Sequence, residues 1–151
     1  MTRMVDIDRG WKRILKSAMD KHNNVSVGIR GSGSGKNDLK MIALYHEKGG
    51  KRGRPPKRSF IAPTIDKNKG KYLLALDRVA DRIISHGISK TQGLMALGKI
   101  VEGNIKATII RGIAPPLAES TKRIKRKHGL AKLTPLIFHG RLINSITHWL
   151  Q

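Results

Sequence analysis

Residues 89–112 read SKTQGLMALGKIVEGNIKATIIRG, a pattern that governs the expected fold. The side chains of one face recur every three or four residues, as is typical of an amphipathic helix. This face is made of Leu94, Leu97, Ile100, Val101, Ile105, Thr108 and Ile109. Ser89 is placed to cap the start of the helix, and Gly112 with Pro115-Pro116 ends it. The stretch therefore predicts a long helix that covers other elements.

A second helical pattern lies directly before it, over residues 64–85, with Gly87 as its stop. Val25, Val27 and Ile29 alternate with polar or small residues, which predicts a half-buried strand. Residues 59–63 predict a short strand ending at Pro63, and residues 146–150 a closing strand. We therefore expect an α+β fold: a small antiparallel β-sheet of three or four short strands packed against two long helices, with extended basic loops.

The remaining elements are shorter. An apolar stripe predicts a first helix over residues 8–22, and residues 38–47 favour a short helix, although the run 41–45 also suits a strand. A short helix is expected from Ser120 or Thr121 to Lys127, and a turn or short helix over 139–145. A length of 151 residues predicts a single domain, residues 1–151. Residues 31–37 and 48–58 are expected to be flexible loops because of their Gly, Pro and charge content.

The chain has no Cys, which excludes disulfides, thiolate catalysis and Cys-based zinc sites. It contains no apolar run of the roughly 20 residues that a membrane helix needs, and no secretory signal pattern. We expect a soluble protein made in the cytoplasm, with no membrane partner. Its charge is extreme, because 31 Lys and Arg face 10 Asp and Glu and leave a net charge of +21. Such a charge indicates a polyanionic or acidic partner, with nucleic acid first.

No pattern indicates catalysis. The Gly-rich segment lacks both anchors of a phosphate-binding P-loop, since Asn37 follows Lys36 and Arg30 stands where the first Gly is required. The six His residues are scattered, with none of the pair spacings of a metal site. Asp77 and Asp81 each adjoin an Arg, as on a solvated helix face. We therefore expect no catalytic residue, no cofactor-binding residue, no metal site and no enzymatic activity.

Two dense basic runs are the strongest physical signal in the chain. One lies within residues 48–58 and the other within 122–127, and both are too dense for an ordinary solubilising surface. Few aromatic residues accompany them, so contact with DNA would be to the backbone and independent of sequence. The expected contacts with DNA or a partner are Lys48, Lys51, Arg52, Arg54, Lys57, Arg58, Lys122, Arg123, Lys125, Arg126 and Lys127.

Several tracts follow one another in a distinctive order. They are VGI at 27–29, ALYHEKG at 43–49, RSFIAP at 58–63, ALGKIV at 96–101, PPLAEST at 115–121 and PLIFHGRLINSI at 135–146. In this order they resemble the tail-completion and head–tail joining proteins of tailed phages, the small subunits of the phage neck. Ser59 stands where that family has Pro, and His139 where it has Thr.

The resemblance implies a non-enzymatic structural subunit of the virion, located at the head–tail junction. It implies a ring, of six copies in the family, between the capsid connector and the tail tube and around the DNA channel. The expected partners are other copies of the chain, the neighbouring connector or adaptor, the tail-tube or tail-terminator proteins, and packaged double-stranded DNA in the lumen. The alternative is a non-enzymatic, basic protein that binds DNA or RNA without sequence preference, which explains the charge but not the ordered tracts.

Overall fold

The computed structural model describes residues 11–19, 21–31 and 38–151. In chain order the elements are α1 (Trp11–Ala18), β1 (Val25–Ile29), α2 (Leu39–Lys48), a 3-10 turn (Lys51–Gly53), α3 (Ala62–His86), α4 (Lys90–Arg111), α5 (Glu119–Lys127), α6 (Arg141–Ser145) and β2 (Ile146–Leu150). The fold is α+β with a small antiparallel sheet, as the sequence predicts. Of the two long helices, however, only α4 packs directly against the sheet, and α3 packs mainly against α4.

Helix α4 is the central element, packed between the sheet on one side and α3 on the other. It begins with a reciprocal cap, in which the Gln92 backbone N–H donates to Ser89 Oγ and the Ser89 N–H donates to Gln92 Oε1, at 3.1 and 3.0 Å. It ends at Arg111, where Gly112 takes a φ of 92°. The predicted boundaries of this helix are confirmed.

Helix α3 starts earlier than the sequence predicts. The strand expected over residues 59–63 is wrong, because α3 begins at Ala62 and Pro63 lies in its first turn. Proline is well tolerated there, because the N–H groups in the first turn of a helix have no acceptor within the helix, so the N–H that proline lacks is not missed by the helix. The helix ends at His86, and Gly87 supplies the left-handed backbone at its C-cap, with a φ of 65°.

The sheet within the described residues has two strands rather than the predicted three or four. β1 pairs antiparallel with β2, and Val27 lies opposite His148. Gly98 of α4 lies against this face: a Cβ there would come within 2.7 Å of Val25 and 2.9 Å of His148. The missing side chain at Gly98 therefore allows α4 to approach the sheet.

The two long helices are joined by close packing and by polar pairs. A Cβ on Gly93 would lie 2.2 Å from Val79, so a glycine is required for this approach too. Further along, the hydroxyls of Thr64 and Thr108 are 2.8 Å apart. The buried core is formed by Ala43, Phe60, Tyr72, Leu97, Val101, Ile105, Ile109, Leu142 and Ile146.

The shorter elements largely follow the sequence. Helices are confirmed over 38–47 and 120–127, a short helix forms within 139–145, and β2 occupies the predicted closing strand. Helix α1 is shorter than predicted and ends at Ala18; residues 8–10 and 20 of that prediction lie outside the described residues. Of the loop predicted at 31–37, only Gly31 is described. None of the described helices combines the length and apolar character that crossing a bilayer requires.

Candidate interaction surfaces

The first basic run forms a tight turn next to α2. Its base is closed by a hydrogen bond from the Gly50 N–H to the Pro55 carbonyl, at 2.9 Å. A Cβ on Gly50 would lie 2.0 Å from the Arg54 carbonyl oxygen, so this turn requires glycine. Five of its six predicted contact residues are exposed: Lys48, Lys51, Arg52, Arg54 and Lys57. These five cations form a surface that we call the basic turn.

Arg58, the last residue of that run, lies inside the protein. Only 6% of its surface is exposed, and its guanidinium donates from Nε to the Pro115 carbonyl at 2.7 Å and from Nη2 to the Pro116 carbonyl at 2.9 Å. Burial lowers the pKa of Arg58. Arg58 therefore holds the Pro115-Pro116 turn in place, whereas the other cations of the same run face solvent.

The second basic run divides in the same way. Arg123, Arg126 and Lys127 are exposed on α5, and Lys122 forms an ion pair with Glu119 at 2.6 Å. Lys125 is 2% exposed. The Lys125 Nζ donates to the carbonyls of Lys132 at 3.0 Å and Thr134 at 2.8 Å, and burial lowers its pKa. Lys125 therefore anchors the segment that follows α5, whereas its exposed neighbours remain available for contact.

Glu47, which no predicted site includes, joins the end of α2 to the start of α3. Its carboxylate accepts hydrogen bonds from Ser59 Oγ at 2.5 Å and from the backbone N–H groups of Phe60, Ile61 and Ala62 at 2.9, 3.2 and 3.0 Å. Burial by itself raises the pKa of Glu47, but these hydrogen bonds outweigh it and the pKa is lowered. A charged carboxylate is thus held where the first N–H groups of α3 need acceptors.

His46, the residue before Glu47, is half-buried and lies near the positive charge of Arg58. Its Nδ1 atom is buried and has no hydrogen-bond partner in the described part of the chain. Burial lowers the pKa of His46, and the nearby Arg58 guanidinium lowers it further. Burial and the neighbouring guanidinium therefore both favour the neutral form of the ring.

An open groove of about 920 Å³ lies between α2, the segment Pro55-Pro56, the start of α5 and the segment before α6. Its walls are mainly apolar and include Leu39 and Ile42 of α2, Leu117 before α5, and Ile137 and Phe138 before α6. The charged or ionisable side chains of its lining are His46, Arg58, Lys125, His139 and Arg141. The lining contains no carboxylate.

The two long helices expose apolar side chains in regular rows. On α4 the row is Ala96, Ile100, Gly103, Ala107 and Ile110, all exposed, and we call it the α4 stripe. On α3 the row is Leu73, Leu76, Ala80 and Ile84, and we call it the α3 stripe. Both follow helical spacing, so each presents one continuous face. Ile100 and Ile110 are 50% and 55% exposed, which is high for large aliphatic residues.

Arg78 and Arg82 of α3 flank one end of the α4 stripe. Together with Ala96 and Ile100 they line a shallow cleft of about 210 Å³. An apolar row beside exposed cations fits a partner surface that is apolar and acidic. Larger contiguous apolar patches on a protein surface commonly mark interaction sites.

The sequence located the exposed cations but missed Glu47, the burial of Arg58 and Lys125, and both stripes. Glu47 does lie inside the tract ALYHEKG, so the resemblance carried a signal for it, although no local pattern assigned it a role. The stripes were visible as helical periodicity, yet periodicity does not tell which apolar positions a small sheet leaves uncovered. Among the described residues, no three His, Asp or Glu side chains are grouped as metal ligands.

No model of a known protein family matches this chain, and neither a curated protein nor a solved structure is similar to it.

Proposed function

We propose that this protein is a structural subunit of the phage neck, forming a ring between the capsid connector and the tail tube around the DNA channel. The observation that carries the proposal is the pair of apolar stripes on α3 and α4. A ring requires each subunit to present two different complementary faces to its neighbours. Exposed rows of Leu and Ile on two long, well-capped helices are suited to that role, because their burial between subunits would remove apolar surface from water.

The arrangement of the ordered tracts also supports the proposal. Glu47, from the tract at 43–49, binds the backbone of the tract at 58–63. Arg58, from that second tract, binds the carbonyls of Pro115 and Pro116 in a third. Tracts that resemble one family thus form one scaffold, which is the role expected of residues that define a fold and not a chemistry.

The charge fits a subunit that lies beside DNA or an acidic neighbour. A free ring of subunits carrying +21 each would be opposed by repulsion. Contact of the basic turn and the exposed face of α5 with packaged DNA or with an acidic neighbouring ring would offset that repulsion. Assembly of the ring is therefore expected to be strongest in the presence of a polyanion or of the neighbouring neck proteins.

The proposal is tested in the phage that encodes the chain. Deleting the gene is expected to leave filled heads and free tails that do not join, visible by negative-stain electron microscopy. The double variant Ile100→Asp, Ile110→Asp should give the same defect, since it charges the α4 stripe at two exposed positions. Met19→Asp controls for placing a carboxylate at an exposed apolar position, because Met19 is 82% exposed and lies outside both stripes. Normal virions that lack the protein would overturn the proposal.

The second candidate is a basic protein that binds DNA or RNA without sequence preference. The basic turn favours it, because five exposed cations within ten residues make a dense electrostatic footprint. Filter binding of a double-stranded DNA fragment at 50 and 200 mM salt would discriminate between the two. Nanomolar binding by the free protein that weakens by orders of magnitude at the higher salt supports this alternative. Weak binding by the free protein, together with the head–tail joining defect, supports the neck subunit.

A further inference from the structure

The groove between α2 and α5 combines an apolar wall with buried positive charge. Arg58 and Lys125 both line it, and both are almost completely buried. Within the described residues neither lies at salt-bridge distance from a carboxylate, since the three carboxylate contacts of that kind found there involve other side chains. A buried charge is normally paired, because removing it from water is costly. The lining therefore carries two cations that lack a counter-charge.

Each of these cations retains hydrogen-bonding capacity. A guanidinium has five N–H donors and an ammonium has three. Arg58 donates two bonds and Lys125 two, all to neutral backbone carbonyls. Arg141, at the start of α6, adds an exposed guanidinium to the same lining. Three cations and no carboxylate make the groove complementary to an acidic group.

We propose that this groove binds a segment of a partner protein that carries a carboxylate between apolar side chains. The apolar side chains would pack against walls such as Ile42, Leu117 and Phe138, and the carboxylate would face the cations of the lining. The proposal goes beyond the neck assignment and does not rest on it, because it follows from the groove alone.

The size and walls of the groove favour a protein segment over the other occupants. A volume of about 920 Å³ is at the upper end of the range for small-ligand sites, so it accommodates several residues of an extended chain. A nucleic acid would contact exposed cations through its phosphates, whereas the walls here are apolar. A second copy of this chain offers few carboxylates, 10 Asp and Glu beside 31 Lys and Arg, so the cations of this lining are better matched by a different, acidic partner.

The first experiment selects binders from a random library of dodecapeptides displayed on their own mRNA, with the full-length protein as target at 150 mM salt. The enriched peptides are expected to carry at least one Asp or Glu flanked by apolar residues. The same selection is run on Ala118→Trp, which places a bulky side chain at an exposed position of the groove wall, and it should lose more than tenfold of the enrichment. Circular dichroism and thermal melting establish that the variant is folded.

A second pair of variants separates the groove from general attraction by charge. Arg141→Glu reverses an exposed charge of the lining and lowers the net charge by two. The double variant Lys67→Gln, Lys71→Gln lowers it by the same amount at exposed positions of α3. We expect Arg141→Glu to abolish enrichment of the acidic peptides and the α3 variant to retain it. This pair also serves if Ala118→Trp fails to fold.

The best selected peptide is then synthesised with a fluorescein label, together with a copy in which its acidic residue is replaced by the amide. Fluorescence anisotropy should show at least tenfold weaker binding for the amide copy. Several outcomes would overturn the proposal: no enrichment, equal binding of the amide copy, or retention of the peptides by Arg141→Glu but not by the α3 variant. Binding of dodecanoate in the groove with no peptide enriched would also overturn it, because the occupant would then be a small carboxylic acid.

Discussion

The two basic runs look alike in sequence, but each contains one residue that behaves differently from the rest. In the first run Arg58 is buried and binds the carbonyls of Pro115 and Pro116, while the basic turn faces solvent. In the second, Lys125 is buried and binds the carbonyls of Lys132 and Thr134, while three neighbours are exposed. A run of charges in the sequence is therefore not necessarily one functional unit. One cation of each run holds a turn, and the exposed ones are available to a partner.

The largest expected effect is that of Arg58→Ala. It removes an almost completely buried side chain and its two hydrogen bonds to the Pro115 and Pro116 carbonyls, and a hydrogen bond made by a charged group contributes about 1.5–3 kcal/mol. We expect a loss of about 3 kcal/mol in the free energy of unfolding, measured with urea. The control Arg54→Ala, four residues earlier and exposed, should change it by less than about 0.5 kcal/mol. Equal losses in the two variants would show that the division within the first run is wrong.

Lys125→Met should have a smaller effect of the same sign. The carbonyls of Lys132 and Thr134 lose their donor, but methionine fills similar space and the cost of burying an ammonium disappears. The expected loss is about 1 kcal/mol in urea unfolding, and the exposed control Lys127→Met should lie within about 0.5 kcal/mol of the wild type. A gain in stability would mean that Lys125 is retained for binding and not for the fold.

The pKa of His46 depends on the buried charge of Arg58, so a titration can detect that charge. Burial and then the Arg58 guanidinium lower the pKa of His46 below its ordinary 6.5. As the pH falls below about 6.5, His46 of the unfolded chain is protonated before His46 of the folded chain. The free energy of unfolding therefore decreases over the range from about 6.5 down to the lowered pKa. NMR titration should show the pKa of His46 moving upward in Arg58→Gln relative to the wild type. An unchanged pKa would indicate that Arg58 does not act on this ring.

The smallest effect on stability is expected from the basic turn. The triple variant Lys51→Gln, Arg52→Gln, Arg54→Gln removes only exposed charges. The free energy of unfolding should therefore change by less than about 0.5 kcal/mol. Binding to double-stranded DNA should instead lose salt dependence, by about 0.9 in the logarithmic slope for each phosphate contact removed. If this variant unfolds more easily than Lys125→Met, the exposed cations also have a structural role.

Local signals explain what could be predicted from the sequence. Helix α4 was predicted with its bounds because Ser89 and Gly112 are both local and strong signals. The segment 59–63 was predicted wrongly because Pro63 suits both the end of a strand and the first turn of a helix. Glu47 decides between the two, and its carboxylate comes from another element. Nor could local sequence separate Arg58 from the basic turn, since its burial depends on a turn 57 and 58 residues away.

The distances along the sequence between these hydrogen-bonded residues also give an order of events during synthesis of the chain. The carboxylate that caps α3 precedes its backbone partners by 13 to 15 residues, so it has left the ribosome before the helix begins. The carbonyls that hold Arg58 follow it by 57 and 58 residues, after the whole of α3 and α4. Because chains emerge from the N-terminus onward, the start of α3 can form early, while Arg58 stays hydrated until both long helices have been made. Closure of the Pro115-Pro116 turn onto Arg58 is therefore a late event, which joins the two halves of the chain.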